Sequence, residues 1–90
     1  MVKINARGTI IEEERSILTQ VKDSAMEAMF SGRHYVEEKD GAVILDKDPT
    51  ILKHILSLLK KIELNLSDSF KILVDIELEF WGLPPIDHFE

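Results

Sequence analysis

The stretch AVILDKDPTILKHIL, residues 42–56, changes its hydrophobic rhythm in the middle. Ala42-Val43-Ile44-Leu45 is an unbroken apolar run, the pattern of a short strand buried on both faces. Beyond Pro49, Ile51, Ile55, Leu58, Leu59 and Ile62 recur at helical spacing, and Leu52 and Leu56 widen the stripe. That spacing predicts a helix from Pro49 to about Lys61. Asp48 before Pro49 fits the helix start: a carboxylate oxygen caps free amides, and proline at the first helical position has no amide to leave unsatisfied. Asp46 and Lys47 are not needed for the cap. At a strand-to-helix corner with one or both projecting outward, they form either a solvated surface or a polar contact to another chain, and pattern alone favours the solvated reading.

Upstream, Val2–Asn5 and Thr9–Glu13 read as two short strands joined through Ala6-Arg7-Gly8, a hairpin in which Gly8 supplies positive φ. Arg15–Thr19 reads as a single helical turn. Ser24-Ala25-Met26-Glu27 matches a capping box, so a helix is expected from Ser24 to Phe30 and is broken by Ser31-Gly32-Arg33-His34. Met26, Met29 and Phe30 are either buried or presented at an edge, where Met and Phe are enriched in protein interfaces. Downstream, Ser67 caps a further helical region containing Phe70, Leu73, Val74, Ile76, Leu78, Phe80 and Trp81, with Asp75, Glu77 and Glu79 expected to face outward and a break expected near Ile72–Val74. Phe80-Trp81 is assigned to the core. Gly82 and Pro84-Pro85 end the helix. The sum is an α/β chain of about three short strands and four to five short helices.

Ninety residues make one domain, and 44% hydrophobic with 31% charged residues is the composition of a folded chain. A net charge of -6 disfavours phosphate backbones and anionic lipid, so neither nucleic acid nor membrane is an expected partner. Cysteine is absent, and the N-terminus is too short and too quickly polar for a signal peptide; together with the lack of any membrane-length apolar run, this places the chain in the cytoplasm. No catalytic, cofactor or metal residues are assigned. His34, His54 and His88 have no ligand spacing, no serine lies in a nucleophile elbow, and Gly8, Gly32, Gly41 and Gly82 are too scattered to cradle phosphate. His54 reads as a boundary residue of its helix and Glu12-Glu13-Glu14 as a solvated face. An enzyme is therefore not expected.

Several of these pieces occur in the order found in one family. Ile4-Asn5-Ala6-Arg7-Gly8, Arg15–Thr19, Asp23–Met26, Met29-Phe30-Ser31-Gly32, Leu45–Pro49 followed by His54-Ile55-Leu56, and Glu77–Leu83 together make the sequence resemble the BTB/POZ domain of the potassium-channel-tetramerisation type. The resemblance spans residues 2–83 and leaves 84–90 as a C-terminal tail or linker. It departs from the family in having Arg7-Gly8 for a double glycine, Lys47 for arginine, no proline near Lys22, and Leu59–Ile62 for an Arg-Thr-Gly turn. Lysine lacks arginine's planar fork, so contacts at that corner are expected to be weakened or rearranged. The zinc site that some channel members hold between subunits needs cysteine, which this chain lacks.

The resemblance implies a BTB/POZ-like α/β fold with a small, mostly three-stranded sheet, and a protein-interaction module that assembles with itself through a largely polar face into a tetrameric or pentameric ring. Two uses are implied: a soluble adaptor that binds a cullin scaffold within a ubiquitin ligase, which Met29–Gly32 favours, or the cytoplasmic tetramerisation domain of a voltage-gated potassium channel. An oligomeric scaffold without cullin binding is a third. A ring needs head-to-tail contacts, and the resemblance assigns Asn5, Arg7, Arg15, Asp46, Lys47 and Asp48 to them, raising the interface reading of Asp46 and Lys47 above the solvated one. For a cullin contact it nominates Phe30, Ser31, Gly32, Arg33, His34 and Tyr35.

Overall fold

In the computed structural model, which describes residues 1–32 and 35–89, the two halves of residues 42–56 fold as their rhythm requires. Ala42–Leu45 is a strand and Pro49–Leu59 a helix. In chain order the elements are β1 (Val2–Ala6), β2 (Thr9–Glu13), α1 (Arg15–Leu18), α2 (Ala25–Phe30), β3 (Glu38–Lys39), β4 (Ala42–Leu45), α3 (Pro49–Leu59) and α4 (Asp68–Phe80), followed by a 3-10 turn at Ile86–Phe89.

The strands form one sheet in the order β2-β1-β4-β3, so there are four strands where about three were expected. The extra one is a two-residue edge, its side chains exposed and without a periodicity to read. β1 pairs antiparallel with β2 and parallel with β4. Both hairpins turn through two residues at positive φ: Arg7 (49°) with Gly8 (94°), and Asp40 (54°) with Gly41 (81°). That backbone matches the twist of the flanking strands. In β4, Ala42 and Val43 are buried while Ile44 and Leu45 are only partly so.

One face of the sheet is covered by the helices. Ile4, Ala6 and Val43 meet Leu52, Ile55 and Leu59 of α3, Val74 and Leu78 of α4, Met26 of α2, and Trp81 in a single core cluster. Three side-chain caps start the helices as expected: Asp48 accepts from Thr50 N (2.8 Å) and Ile51 N (3.3 Å), Ser24 from Glu27 N (3.0 Å), and Ser67 from Phe70 N (3.3 Å).

α4 departs from expectation in two ways. It runs unbroken from Asp68 to Phe80, and its apolar residues divide between two faces. Val74, Leu78 and the following Trp81 are in the core; Ile72, Leu73, Ile76 and Phe80 are exposed, so half of the Phe80-Trp81 pair assigned to the core lies outside it. Conversely, Asp75 and Glu77, expected to face outward, are partly buried. The turn after Trp81 sets this rotation: Leu83 N donates to Leu78 O (2.9 Å) and Gly82 N to Glu79 O (3.0 Å), a Schellman motif with Gly82 at φ 68°. A Cβ on Gly82 would stand 3.1 Å from Ala25 N, so the turn packs directly on the start of α2. The chain then returns, with Ile86 buried and its amide donating to Asp75 Oδ1 (2.7 Å).

The acidic run at 12–14 also differs from a solvated face. Glu13 alternates inward on β2 and is buried, with Lys60 Nζ 2.9 Å from its Oε1 and Glu14 N donating to its Oε2 (3.0 Å). A β-strand turns every second side chain to the same face, and the lysine that makes Glu13 tolerable there is 47 residues away.

Candidate functional site

Leu45 ends β4 beside the β1–β2 hairpin, and Arg7 N donates to Leu45 O (3.3 Å), which brings the turn and the strand-to-helix corner together. Asn5 holds the turn, its Oδ1 accepting from Gly8 N at 2.7 Å. Across the junction, Arg7 Nε donates to Asp46 Oδ1 at 2.8 Å, with 54% and 93% of the two side chains exposed. That hydrogen bond, and next the carboxylate's charge, raise the Arg7 pKa above its ordinary value, and the guanidinium is charged. The exposed pair adds little to stability, because solvent screens it. It is instead a plus-minus pair offered on the surface.

Lys47 behaves differently. Its ammonium turns back onto α4, 3.6 Å from Glu77 Oε1 and 3.3 Å from the centre of the Phe80 ring, with 23% of the side chain exposed. Both contacts favour a desolvated cation. The other Glu77 oxygen, Oε2, is buried without a hydrogen-bond partner. Lys47 thus fastens the corner to α4, while Asp46 projects outward and Asp48 is occupied as the α3 cap.

Of the six residues assigned to subunit contacts, Arg7, Asp46, Lys47 and Asp48 are brought together at this corner, and Asn5 stands behind its turn. Arg15 is elsewhere: it starts α1, its Nη1 donates to the carbonyl of Phe30, and it shares a concavity with Met1, Val2 and Lys3 at the opposite end of β1 from Arg7. In the nominated cullin-contact segment, Phe30 is in the core at 2% exposure, whereas Ser31 and Gly32 are exposed and Tyr35 is 91% exposed. The aromatic that solvent reaches is therefore Tyr35, not Phe30; Arg33 and His34 lie outside the described residues. His54 is partly buried against Phe70, ring centres 4.9 Å apart, and its Nδ1 is 2.6 Å from Thr50 O, consistent with a boundary position.

Glu77 and Phe80 are the residues of this corner that sequence reasoning missed. Glu77 lies four residues before the buried Trp81, one helical turn away on the same side of α4. That phase was a signal that it would not be fully solvated. Among the described residues no group of three or more His, Cys, Asp or Glu could hold a metal ion. A concavity of about 1170 Å³ between residues 61–66 and the C-terminal turn is lined by Leu58, Ile62, Leu64, Leu66, Ile86 and Phe89 among others. It contains none of the assigned residues. No helix of the described residues is long and apolar enough to cross a membrane.

The fold is a small sheet closed on one side by helices, with a charged, outward-facing corner. Comparison with known proteins identifies it: the family model for the BTB/POZ domain matches residues 2–88, and the chain belongs to that family. It is 31% identical over 87 residues to human BTB/POZ domain-containing protein KCTD3, which covers 96% of this chain and 11% of the relative. Bovine BTB/POZ domain-containing protein KCTD18 is 27% identical over 86 residues, 93% of this chain and 20% of the relative. Rat SH3KBP1-binding protein 1 is 30% identical over 87 residues, 96% of this chain and 12% of the relative. The chain is thus a BTB/POZ domain of the potassium-channel-tetramerisation type, a protein-interaction module, and spans a fifth or less of the length of these three relatives.

Proposed function

We propose that this chain assembles with itself into a ring of four or five copies and serves as a soluble cytoplasmic adaptor that presents a partner to a cullin-RING ubiquitin ligase. The observation that carries the self-association is the exposed Arg7–Asp46 pair, held in place by the Arg7 N to Leu45 O bond. A preset pair of opposite charges contributes little within one chain but gives register and steering between two chains. One relative is named for binding another protein, which is in keeping with an interaction role. The cullin contact is assigned to Ser31, Gly32 and the exposed Tyr35, with Phe30 as the buried anchor that fixes where this loop begins. Exposed aromatics of this kind are frequent binding hot spots.

The test is light scattering on the 90-residue chain across a concentration series at two salt concentrations, for the parent and Asp46→Lys. The parent should run as a tetramer or pentamer that loosens with salt, and Asp46→Lys should require at least tenfold more protein to assemble while melting at the parent's temperature when both are compared unassembled. Assembly unchanged by the reversal would remove the corner from the interface. For the second half of the reading, Tyr35→Ala should leave stability within about 0.5 kcal/mol and weaken binding of a purified cullin N-terminal domain. Parent chain that fails to bind at micromolar concentrations would leave an oligomeric scaffold without cullin binding.

A further inference from the structure

At 3.6 residues per turn, Ile72, Leu73, Ile76 and Phe80 fall within about 100° of arc on α4. They are exposed by 61%, 48%, 60% and 55%, and form one continuous stripe on the face turned away from Val74, Leu78 and Trp81. A stripe of four large apolar side chains is more than the scattered exposure normal for a domain surface. Phe80, at one end, carries Lys47 on its ring, so the stripe is continuous with the corner already assigned to subunit contact. Asp75 and Glu79 border its other side.

The opposite surface, the uncovered face of the sheet, has a different character. Ile10 is its large exposed apolar residue, 53% exposed, and stands beside Asn5 in the β1–β2 register. With Lys3, Asn5, Lys39, Asp40 and Ala42 it lines a shallow depression of about 290 Å³. Lys39 and Lys3, the latter 4.0 Å from Glu12 on the same face, are the cations of this depression and are complementary to the acidic border of the stripe. The residues assigned to subunit contact divide between the two surfaces, Asn5 on the sheet and Lys47 packed against α4.

We infer that the α4 stripe, Ile72, Leu73, Ile76 and Phe80, is the apolar half of the subunit contact and docks on the Ile10 face of the sheet of a second copy of this chain. The inference rests on the self-association reading above. It makes the contact heterologous, with one face meeting a different face, which is the arrangement that closes rings. Glu79 and Asp75 of one copy approach Lys3 and Lys39 of the next, while Ile76 and Phe80 exclude water at the centre.

Two lesions and their mixture test it. Ile76→Glu spoils only the stripe and Ile10→Glu only the sheet face, and both positions are exposed enough that the fold should be retained; Leu73→Gln and Ile10→Thr replace them if circular dichroism shows unfolding. Each variant alone should be monomeric at concentrations where the parent chain assembles, a loss of at least tenfold in assembly affinity. Mixed in equal amounts at tenfold higher concentration, they should form a species of two chains, because one intact stripe still meets one intact sheet face. An assembled parent with either variant assembling normally, or with a mixture that stays monomeric, overturns the pairing of these two faces while leaving self-association standing. A parent that is monomeric at every concentration overturns the self-association reading, and this inference with it.

Discussion

Replacing Lys47 with methionine should destabilise the folded chain itself, whatever it does to assembly. The methionine keeps most of the volume over the Phe80 ring but removes the cation from a carboxylate that is mostly buried, Glu77 being 16% exposed with its Oε2 unpartnered. Two charges near 4 Å at an effective dielectric of about 20 attract by about 4 kcal/mol before desolvation is subtracted. Desolvation cancels much of this, but removing one partner leaves the other charge without compensation, which costs about 3–5 kcal/mol in a fully buried pair. With about a fifth of each side chain still wet, solvent screening brings the cost below that range, to about 2 kcal/mol, and the lost contact between ammonium and ring adds up to about 1 kcal/mol. A loss of about 2–3 kcal/mol is expected, or about 10–20 °C in melting temperature for a domain of this size. Urea unfolding followed by circular dichroism gives the number, at protein concentrations where the assembly state of parent and variant is the same, since assembly adds apparent stability by mass action. The double variant Lys47→Met with Glu77→Gln should recover at least half of the loss. A change below about 0.5 kcal/mol, or a double variant as unstable as the single, would refute the view that Lys47 fastens the corner to α4.

Gly82→Ala should cost about 2 kcal/mol, because the residue must adopt φ 68° and its new Cβ would press on Ala25 N at 3.1 Å; a thermal melt within about 2 °C of the parent would show that the turn relaxes freely. Lys60→Met should cost about 2 kcal/mol by stranding the buried Glu13 carboxylate, and Glu13→Gln in the same chain should restore part of it, both read by urea unfolding. Asp48→Ala should cost about 1 kcal/mol through the two amides it leaves uncapped, whereas Asp48→Asn should be nearly neutral; equal losses for the two would mean the charge, not the cap, was the contribution. Arg7→Gly should relieve the positive φ at the hairpin while removing the Asp46 pair, so the melting temperature of the unassembled chain should stay level or rise while assembly weakens, the two readouts moving apart.

What was legible in the sequence was local. Asp48, Ser24 and Ser67 cap helices within three residues of themselves, and the apolar run of β4 or the spacing of α3 is complete within one segment. The unread parts depend on distant partners. Glu13 is buried because β2 alternates inward there and Lys60 reaches it from the end of α3. Lys47 is turned inward by Glu77 and Phe80, 30 and 33 residues further along. The α4 segment has apolar residues around most of its circumference, so periodicity could not choose between the face of Val74 and Leu78 and the face of Ile72 and Ile76. The Phe30 question was open for the same reason: a short helix ending in Met-Phe has no phase long enough to say which residue is covered.

The rotation of α4 is where those distant contacts act together. Trp81 is the largest side chain available to that end of the core, and burying it at 1% exposure requires the Schellman turn at Gly82 to lie against Ala25. With that turn placed, Asp75 comes under the Ile86 amide and Glu77 under Lys47. Each fully buried aliphatic side chain contributes about 1.5–3 kcal/mol, so turning α4 to cover Ile72 and Ile76 would gain no more than exposing Val74, Leu78 and the much larger Trp81 would lose. A helix apolar on two faces can satisfy only one of them within a 90-residue chain. The exposed face is therefore a fixed feature of the folded subunit, locked at three points along its length. A second copy docking there, as inferred above, would not meet the entropy cost of ordering a flexible segment.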